Sequence, residues 1–497
     1  MFTDNGIYLG LSGEERVVLD LGMANRHGLI TGATGTGKTV TMKVLAESFS
    51  DAGVPVFLCD VKGDVSGLCS PGAKTEGMEK RIDLFGLRDT FQYRAYPVCF
   101  WDVYGEKGHP VRATVSDMGP DILSSLLGLT EAQRGVLNII FRIADDHGLQ
   151  LTDLKDLRAM INYVGENRQS FTLEYGNVTT QSLGGVLRSL LPLETQGGSL
   201  FFGEPALDIF DWIRLDSEGR GIVNILDCVK LMNNPTLYAA FMLFMMSELF
   251  ERLPEIGDPE KPKLVFFFDE AHLLFSQMPR TLISKIEQMV RLIRSKGVGI
   301  YFVTQSPGDL PNTVLGQLSN RIHHALRAYT PSEQKALKAA AGSMRPNPEF
   351  DTAEALQELG VGEALVSLLD EGGVPEMVRR TRIICPQSLM AAADEFERGV
   401  ASSTDGMDKY DFPVDNESAF EILSEREEEE KLRREREALE KEEEELQKKI
   451  KAQASKEEAA MQKAAERRKQ KIENQLISVG GSILRRGIMN TLFGKKR

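Results

Sequence analysis

Cysteine is scarce in this chain. Its 497 residues hold five, at positions 59, 69, 99, 228 and 385, with no Cys-x-x-Cys pair among them. That argues against a zinc ribbon or a disulfide framework and suits a reducing compartment. Long apolar runs are missing as well. The longest, such as Tyr238 to Met246, falls well short of the roughly 20 residues that span a bilayer, so no integral membrane segment is expected. The opening MFTDNGIYLG has neither a basic stretch nor an apolar core, so a signal peptide is not expected and a cytoplasmic location is. Positive charge is in deficit, with a formal net charge of −14. Phosphate binding rests on clustered Lys and Arg, so such a chain is no general nucleic-acid sponge. A local basic channel stays open, because binding depends on where the charges sit. No repeat with a period of about 20 to 50 residues is present.

What is there is mostly globular. Hydrophobic residues make up 42% of the chain, enough to bury a large core. His27-Gly28-Leu29-Ile30-Thr31 is a short apolar run that leads into glycine-rich sequence, and Val40 to Ser50 reads as a helix. Val54 to Asp60 then reads as a strand ending on a carboxylate. Strand, loop, helix and strand in that order start a parallel α/β sheet. Val17 to Leu21 and Val98 to Asp102 are further strands, and residues 71–92 are polar and irregular. From Asp121 to about Phe210 apolar residues recur at three- and four-residue spacing, the mark of helices. The sheet resumes at Gly221 to Asp227, Leu264 to Phe268 and Gly299 to Thr304. Thr330-Pro331-Ser332-Glu333 is a helix start. Glu371-Gly372-Gly373 sits between two strand-like runs and predicts a β-hairpin.

These changes divide the chain into 1–120, the first part of the α/β core; 121–215, a helical insertion; 216–400, the rest of the core; 401–475, a linker and charged helix; and 476–497, an amphipathic basic tail. Residues 421–475 hold 17 acidic and 15 basic side chains. Leu432, Leu439 and Leu446 are seven apart and Ile450 follows, a thin heptad seam that suits a solvated single helix or a coiled coil. The tail suits packing on a neighbouring subunit or a membrane-surface helix.

The densest chemistry is Gly32-Ala33-Thr34-Gly35-Thr36-Gly37-Lys38-Thr39. It matches the phosphate-binding loop G-x-x-x-x-G-K-[ST], set between a predicted strand and a predicted helix. Glycines let backbone N–H groups surround phosphate oxygens at a helix N-terminus. Lys38 places a charge on the β- and γ-phosphates of ATP, and the Thr39 hydroxyl can ligate Mg²⁺. Leu264 to Phe268 ends in Asp269-Glu270. There Asp269 would hold the Mg²⁺ shell and Glu270 would activate the attacking water; a surface turn is the plain alternative. Thr304-Gln305 closes a neighbouring strand, where Gln305 is a candidate sensor of the γ-phosphate or merely a turn residue. Arg321 is the first candidate for an arginine acting on the next subunit's nucleotide, with Arg327, Arg291 and Arg294 behind it; each can equally be a salt-bridged surface residue. In Asp60-Val61-Lys62-Gly63-Asp64 either carboxylate can join the Mg²⁺ network, and Lys62 can face a polymer in a ring pore; a simple turn is the alternative. His27 and His272 read as packing residues, and adjacent His323 and His324 point different ways.

These residues resemble the HerA–FtsK group of P-loop ATPases, and within it the HerA-like helicase branch and its YjgR-type bacterial family. The likeness lies in Gly28-Leu29-Ile30 with the loop after it, Asp60 to Asp64, Phe266 to His272, Val303 to Pro307 and Asn320 to Arg327. It covers about residues 5–390 and, more weakly, 476–497. The resemblance implies a RecA-like core, ATP with Mg²⁺, a homo-hexameric ring and movement of DNA or another polymer through its centre. A nuclease or other protein partner is implied too. The chain departs from the HerA pattern because its phosphate-binding loop starts at residue 32, with no N-terminal β-barrel evident before it. Remodelling of a protein and an ATP-binding scaffold are the other functions that such a sequence suits.

Overall fold

The computed structural model describes residues 2–3, 6–277, 280–403 and 405–492. Thirteen strands lie within these described residues: β1 (Phe2–Thr3), β2 (Gly6–Ser12), β3 (Glu15–Asp20), β4 (Gly28–Thr31), β5 (Val56–Asp60), β6 (Val98–Asp102), β7 (His109–Pro110), β8 (Val223–Asp227), β9 (Leu264–Phe268), β10 (Val298–Thr304), β11 (Asn320–His324), β12 (Glu363–Ser367) and β13 (Arg379–Ile383). They join one sheet in the order β1-β2-β13-β12-β11-β4-β10-β9-β5-β8-β6-β7, with β3 paired to β2.

The run from β11 to β7 is parallel throughout. Parallel strands are buried on both faces and therefore read as continuous apolar runs. Leu264-Val265-Phe266-Phe267-Phe268 does so, with all five residues buried. On one face the helix Lys38–Asp51 seals the sheet with Met42, Leu45, Ala46 and Phe49, against Ile30, Val56, Leu58, Phe267, Tyr301 and Val303. On the other, Phe57 and Phe266 pack on Trp212, and Phe57 stacks on Phe241 of the helix Pro235–Arg252. Truncating a buried aromatic such as Phe267 to Ala would cost about 3–5 kcal/mol.

The other half of the sheet is antiparallel. The β12–β13 hairpin turns through Asp370 to Gly373, where the Asp370 carbonyl accepts from Gly373 N at 2.8 Å. β13 then pairs with β2, joining the two ends of the ATPase-like sequence.

Between β7 and β8 the chain forms the helices Val115–Leu126, Glu131–Asp146, Leu154–Glu166, Arg168–Tyr175 and Thr180–Leu193. Three start with reciprocal caps, Thr114 with Asp117, Thr130 with Gln133 and Asp153 with Asp156; each such cap satisfies two backbone donors at once. Thr330 and Glu333 cap the later helix Pro331–Gly342 in the same way. Residues 71–92, irregular in the sequence reading, contain the helix Glu76–Leu84. It is short and polar, and only Met78 and Ile82 are buried, so its period is too faint to read.

Contacts divide the chain at Leu423. The helix Ala419–Leu492 runs without a break through the expected boundary at 475. Leu432, Leu439, Leu446 and Ile450 are all exposed on it, and the surface pairs Arg434–Glu430 and Lys448–Glu444 are spaced i,i+4. Residues 493–497 of the expected amphipathic tail, and the side chains of 482–492, lie outside the described residues. No described helix is long and apolar enough to cross a membrane.

Candidate functional site

β4 delivers the loop Gly32–Gly37, and the helix from Lys38 carries it away. Backbone approach at this turn is close. Gly32 has φ 153°, and a Cβ there would lie 2.5 Å from His324 Cβ and 2.7 Å from Thr36 Oγ1. Gly37 has φ 117°, a conformation that side-chain-bearing residues rarely adopt. The loop is also braced from outside. Ala33 N donates to Ala325 O at 2.8 Å, and Gly362 N donates to Thr36 O at 3.0 Å. His324 props it from beneath: Nδ1 lies 2.9 Å from the Glu363 carbonyl and Nε2 lies 2.8 Å from Thr41 Oγ1. Burial pulls His324 down to about 4, so it is neutral; Nδ1–H donates to the carbonyl and Nε2 accepts from the hydroxyl.

Lys38 is buried, and its ammonium donates to the carbonyls of Gly32 at 2.6 Å and Ala33 at 3.2 Å. Burial lowers its pKa, against the opposing pull of Glu270. Thr39 Oγ1 lies 3.4 Å from Asp64 Oδ2. Asp64 is held there by its neighbour: Asp60, at the end of β5, accepts from Gly63 N at 2.7 Å and Val65 N at 3.2 Å and so shapes the turn between them. Burial pushes the Asp60 carboxyl up to about 6.

β9 brings Asp269 and Glu270 to the same edge of the sheet, at 3% and 5% exposure. Burial raises Asp269 to about 7 in spite of the Lys62 charge. Burial also pushes Glu270 upward, but the bond from Lys62 and the charges of Lys62, His272 and Lys38 outweigh it and leave Glu270 below its ordinary value. Glu270 has φ 47°, uncommon for a residue with a side chain. Its Oε1 takes the Lys62 ammonium, and His272 Nδ1 is 3.2 Å from Oε2 but not aligned for a hydrogen bond. Lys62 therefore faces the site in this chain.

Three carboxylate oxygens here, Asp64 Oδ1, Asp269 Oδ2 and Glu270 Oε2, are buried without a hydrogen-bond partner. Buried polar atoms are nearly always paired, and orphans mark places where a ligand or ion completes the set. With the Thr39 hydroxyl they suit a hard cation that keeps most of its own water, as Mg²⁺ does.

β10 lies between β4 and β9, so Gln305 emerges between the loop and the carboxylates. It borders a cavity of about 610 Å³ together with Ala33, Thr34, His272, Arg327 and Tyr329. Arg321 is placed differently from the expectation. Its guanidinium donates to three carbonyls of its own chain, Leu315 at 3.2 Å, Leu318 at 3.1 Å and Ser343 at 2.8 Å. A guanidinium so engaged is a brace within the fold. Arg327 borders the cavity, and Arg291 is exposed.

A phosphate-binding loop, an interposed strand and a carboxylate-tipped strand on the parallel half of one sheet define a RecA-like P-loop fold. The chain also matches the family described as Helicase HerA-like C-terminal over residues 9–497, and it belongs to that family. It is 25% identical over 375 residues to the DNA double-strand break repair helicase HerA of Saccharolobus solfataricus, covering 70% of this chain and 63% of that one. It is 21% identical over 421 residues to the HerA helicase of Sulfurisphaera tokodaii, covering 81% of this chain and 72% of that one. The chain thus spans less than two thirds of the Saccharolobus protein. Among solved structures it resembles the plasmid coupling protein TrwB in complex with a non-hydrolysable ATP analogue, with TM-score 0.54, 15% identity, and coverage of 79% of this chain and 92% of that one. The TrwB complex with ADP and Mg²⁺ gives TM-score 0.53 at 14% identity, over 79% of this chain and 92% of that one.

Sequence reasoning missed the pairing of Lys62 with Glu270. The signal available was the position of Lys62 just beyond a parallel strand's carboxyl end, where loops gather near a ligand.

Proposed function

We propose that this chain is an ATPase that uses ATP with Mg²⁺ to translocate or unwind DNA, working as a homo-hexameric ring. The observation that carries the proposal is the placing of Lys38 and Thr39 opposite Asp64, Asp269 and Glu270, with three orphaned carboxylate oxygens between them. Loop N–H groups and Lys38 would bind the phosphates. Thr39 and Asp269, with Asp64, would hold Mg²⁺, which when bound supplies positive charge to the β- and γ-phosphates. Glu270 would orient and deprotonate the attacking water. Gln305 would read the nucleotide state from the end of β10. The arginine acting in trans would come from Arg327 or Arg291, since Arg321 is engaged within its own chain. DNA as the polymer rests on the HerA relatives, which are named as DNA break-repair helicases, and ATP with Mg²⁺ is in keeping with the nucleotide complexes of TrwB. A nuclease or other protein partner and a cytoplasmic location belong to the same reading.

The test is steady-state ATP hydrolysis with and without duplex DNA, with Lys38→Ala as blank. Stimulation of at least about tenfold by DNA, absent from the blank, is the expected result. Hydrolysis indifferent to DNA would remove DNA from the reading and point to a protein substrate.

A further inference from the structure

Lys62 is a site residue whose role is not covered by binding phosphates, holding metal or activating water. It sits on the turn after β5, beside Gly63, whose φ is 78°. Its ammonium pairs with Glu270 Oε1, and the charges of Asp269 and Asp64 act on it as well. It is therefore the counter-charge of the same three carboxylates that carry the orphaned oxygens. Lys43, whose charge also acts on Asp64, is committed to the carbonyls of Leu389 and Met390, and Lys38 to the carbonyls of its own loop. Lys38 and Lys62 differ in freedom. Lys38 is buried, whereas the Lys62 side chain is 40% exposed. A long, flexible side chain with one face in water can leave without breaking a core.

A divalent cation placed among Asp64, Asp269 and Thr39 would share their field with the Lys62 ammonium. Like charges a few ångströms apart repel strongly in a partly buried site. Both cannot be held at full strength by the same carboxylates.

We propose that Lys62 is a resident counter-cation of the Asp64–Asp269–Glu270 cluster that yields its place to the nucleotide-bound divalent cation, so that metal loading and release of Glu270 Oε1 are one exchange. The inference rests on the reading of this cluster as a nucleotide site. It makes Lys62 a positioning residue, because it acts on Glu270 and not on the reacting atoms. Before loading, the base is tied down; after loading, it is free to turn toward water.

Mn²⁺ binding tests this without turnover. Free Mn²⁺ is measured by electron paramagnetic resonance as it is titrated into the full chain at saturating ADP, for the wild type, Lys62→Met and Lys62→Arg. Circular dichroism melts check that each chain is folded. Lys62→Met should bind Mn²⁺ at least about tenfold more tightly, because a competing charge is gone. Lys62→Arg keeps the charge and should bind no more tightly than the wild type. Equal or weaker Mn²⁺ binding by folded Lys62→Met overturns the exchange alone. Absence of Mn²⁺ and ADP binding from all three folded chains overturns the nucleotide site, and this inference with it.

Discussion

At the tip of β9, Asp269 and Glu270 are buried and each keeps one oxygen without a partner. On the edge strand β7, His109 is as deeply buried, at 5% exposure, yet both of its ring nitrogens are engaged. Nδ1 lies 2.6 Å from Asp411 Oδ1, and Nε2 lies 3.0 Å from Asp405 Oδ2. Cys99 completes that group, with its ligand atom within 4.8 Å of those of His109 and Asp405. The difference separates two uses of buried charge. Around His109 both ring nitrogens meet a carboxylate, and the cluster ties β7 to the segment 405–411. Around Glu270 the polar atoms are under-satisfied, which costs stability and is kept where a ligand must bind.

The first way to break the comparison is Lys38→Ala. It should cut ATP hydrolysis by at least about a thousandfold, while the melting temperature falls little or not at all, because the side chain bonds only to its own loop. A large loss of stability with activity intact would reverse the assignment of the two clusters.

His109→Ala should do the opposite. Removing it takes from the buried Asp405 its ion-pair partner and leaves it the Met407 N–H, at a cost of about 3 kcal/mol, with hydrolysis per folded molecule unchanged. The same pair gives a pH signature. Burial draws His109 down, but its bonds to Asp405 and Asp411 and their charges raise it to about 8. A folded pKa above the unfolded one means the stabilisation is full below about pH 6.5 and is lost as pH rises through about 8. Chemical denaturation across that window should show a decline in the wild type that His109→Ala lacks. A parallel decline in both would show that the cluster is not ion-paired.

The smallest effect expected is that of Arg321→Ala. Losing bonds to three carbonyls should cost about 1–2 kcal/mol and leave hydrolysis within about twofold, where loss of an arginine acting in trans would cost about a thousandfold or more. A folded Arg321→Ala chain without hydrolysis would restore Arg321 to the transition state.

How much of this was readable depended on distance along the chain. The phosphate-binding loop is contiguous, so Gly32 to Thr39 carried its own signal. β9 was legible because burial on both faces demands five apolar residues in a row before Asp269. The cap at Thr330 was legible because Glu333 is only one turn away. The pairing of β13 with β2, Arg382 opposite Leu11, was not, since nothing local in either strand names a partner at the other end of the domain. Lys62 looked as much like a pore residue as a site residue, because its partner Glu270 arrives on another strand. Arg321 reads in the sequence as an arginine for a neighbouring subunit, because the turns at Leu315, Leu318 and Ser343 that take up its donors come together only in the fold. Cys99, His109 and Asp405 carry no metal-like spacing, and only the fold brings them together.

The most direct test of the account is Glu270→Gln, with nucleotide binding, single-turnover hydrolysis and melting temperature measured on one preparation. The substitution removes the negative charge and keeps the shape. The account predicts that a fluorescent ATP analogue still binds, that hydrolysis falls by at least about a hundredfold, and that the melting temperature holds or rises. Hydrolysis at the wild-type rate in a chain that binds nucleotide would contradict it, and would place the water-activating group elsewhere.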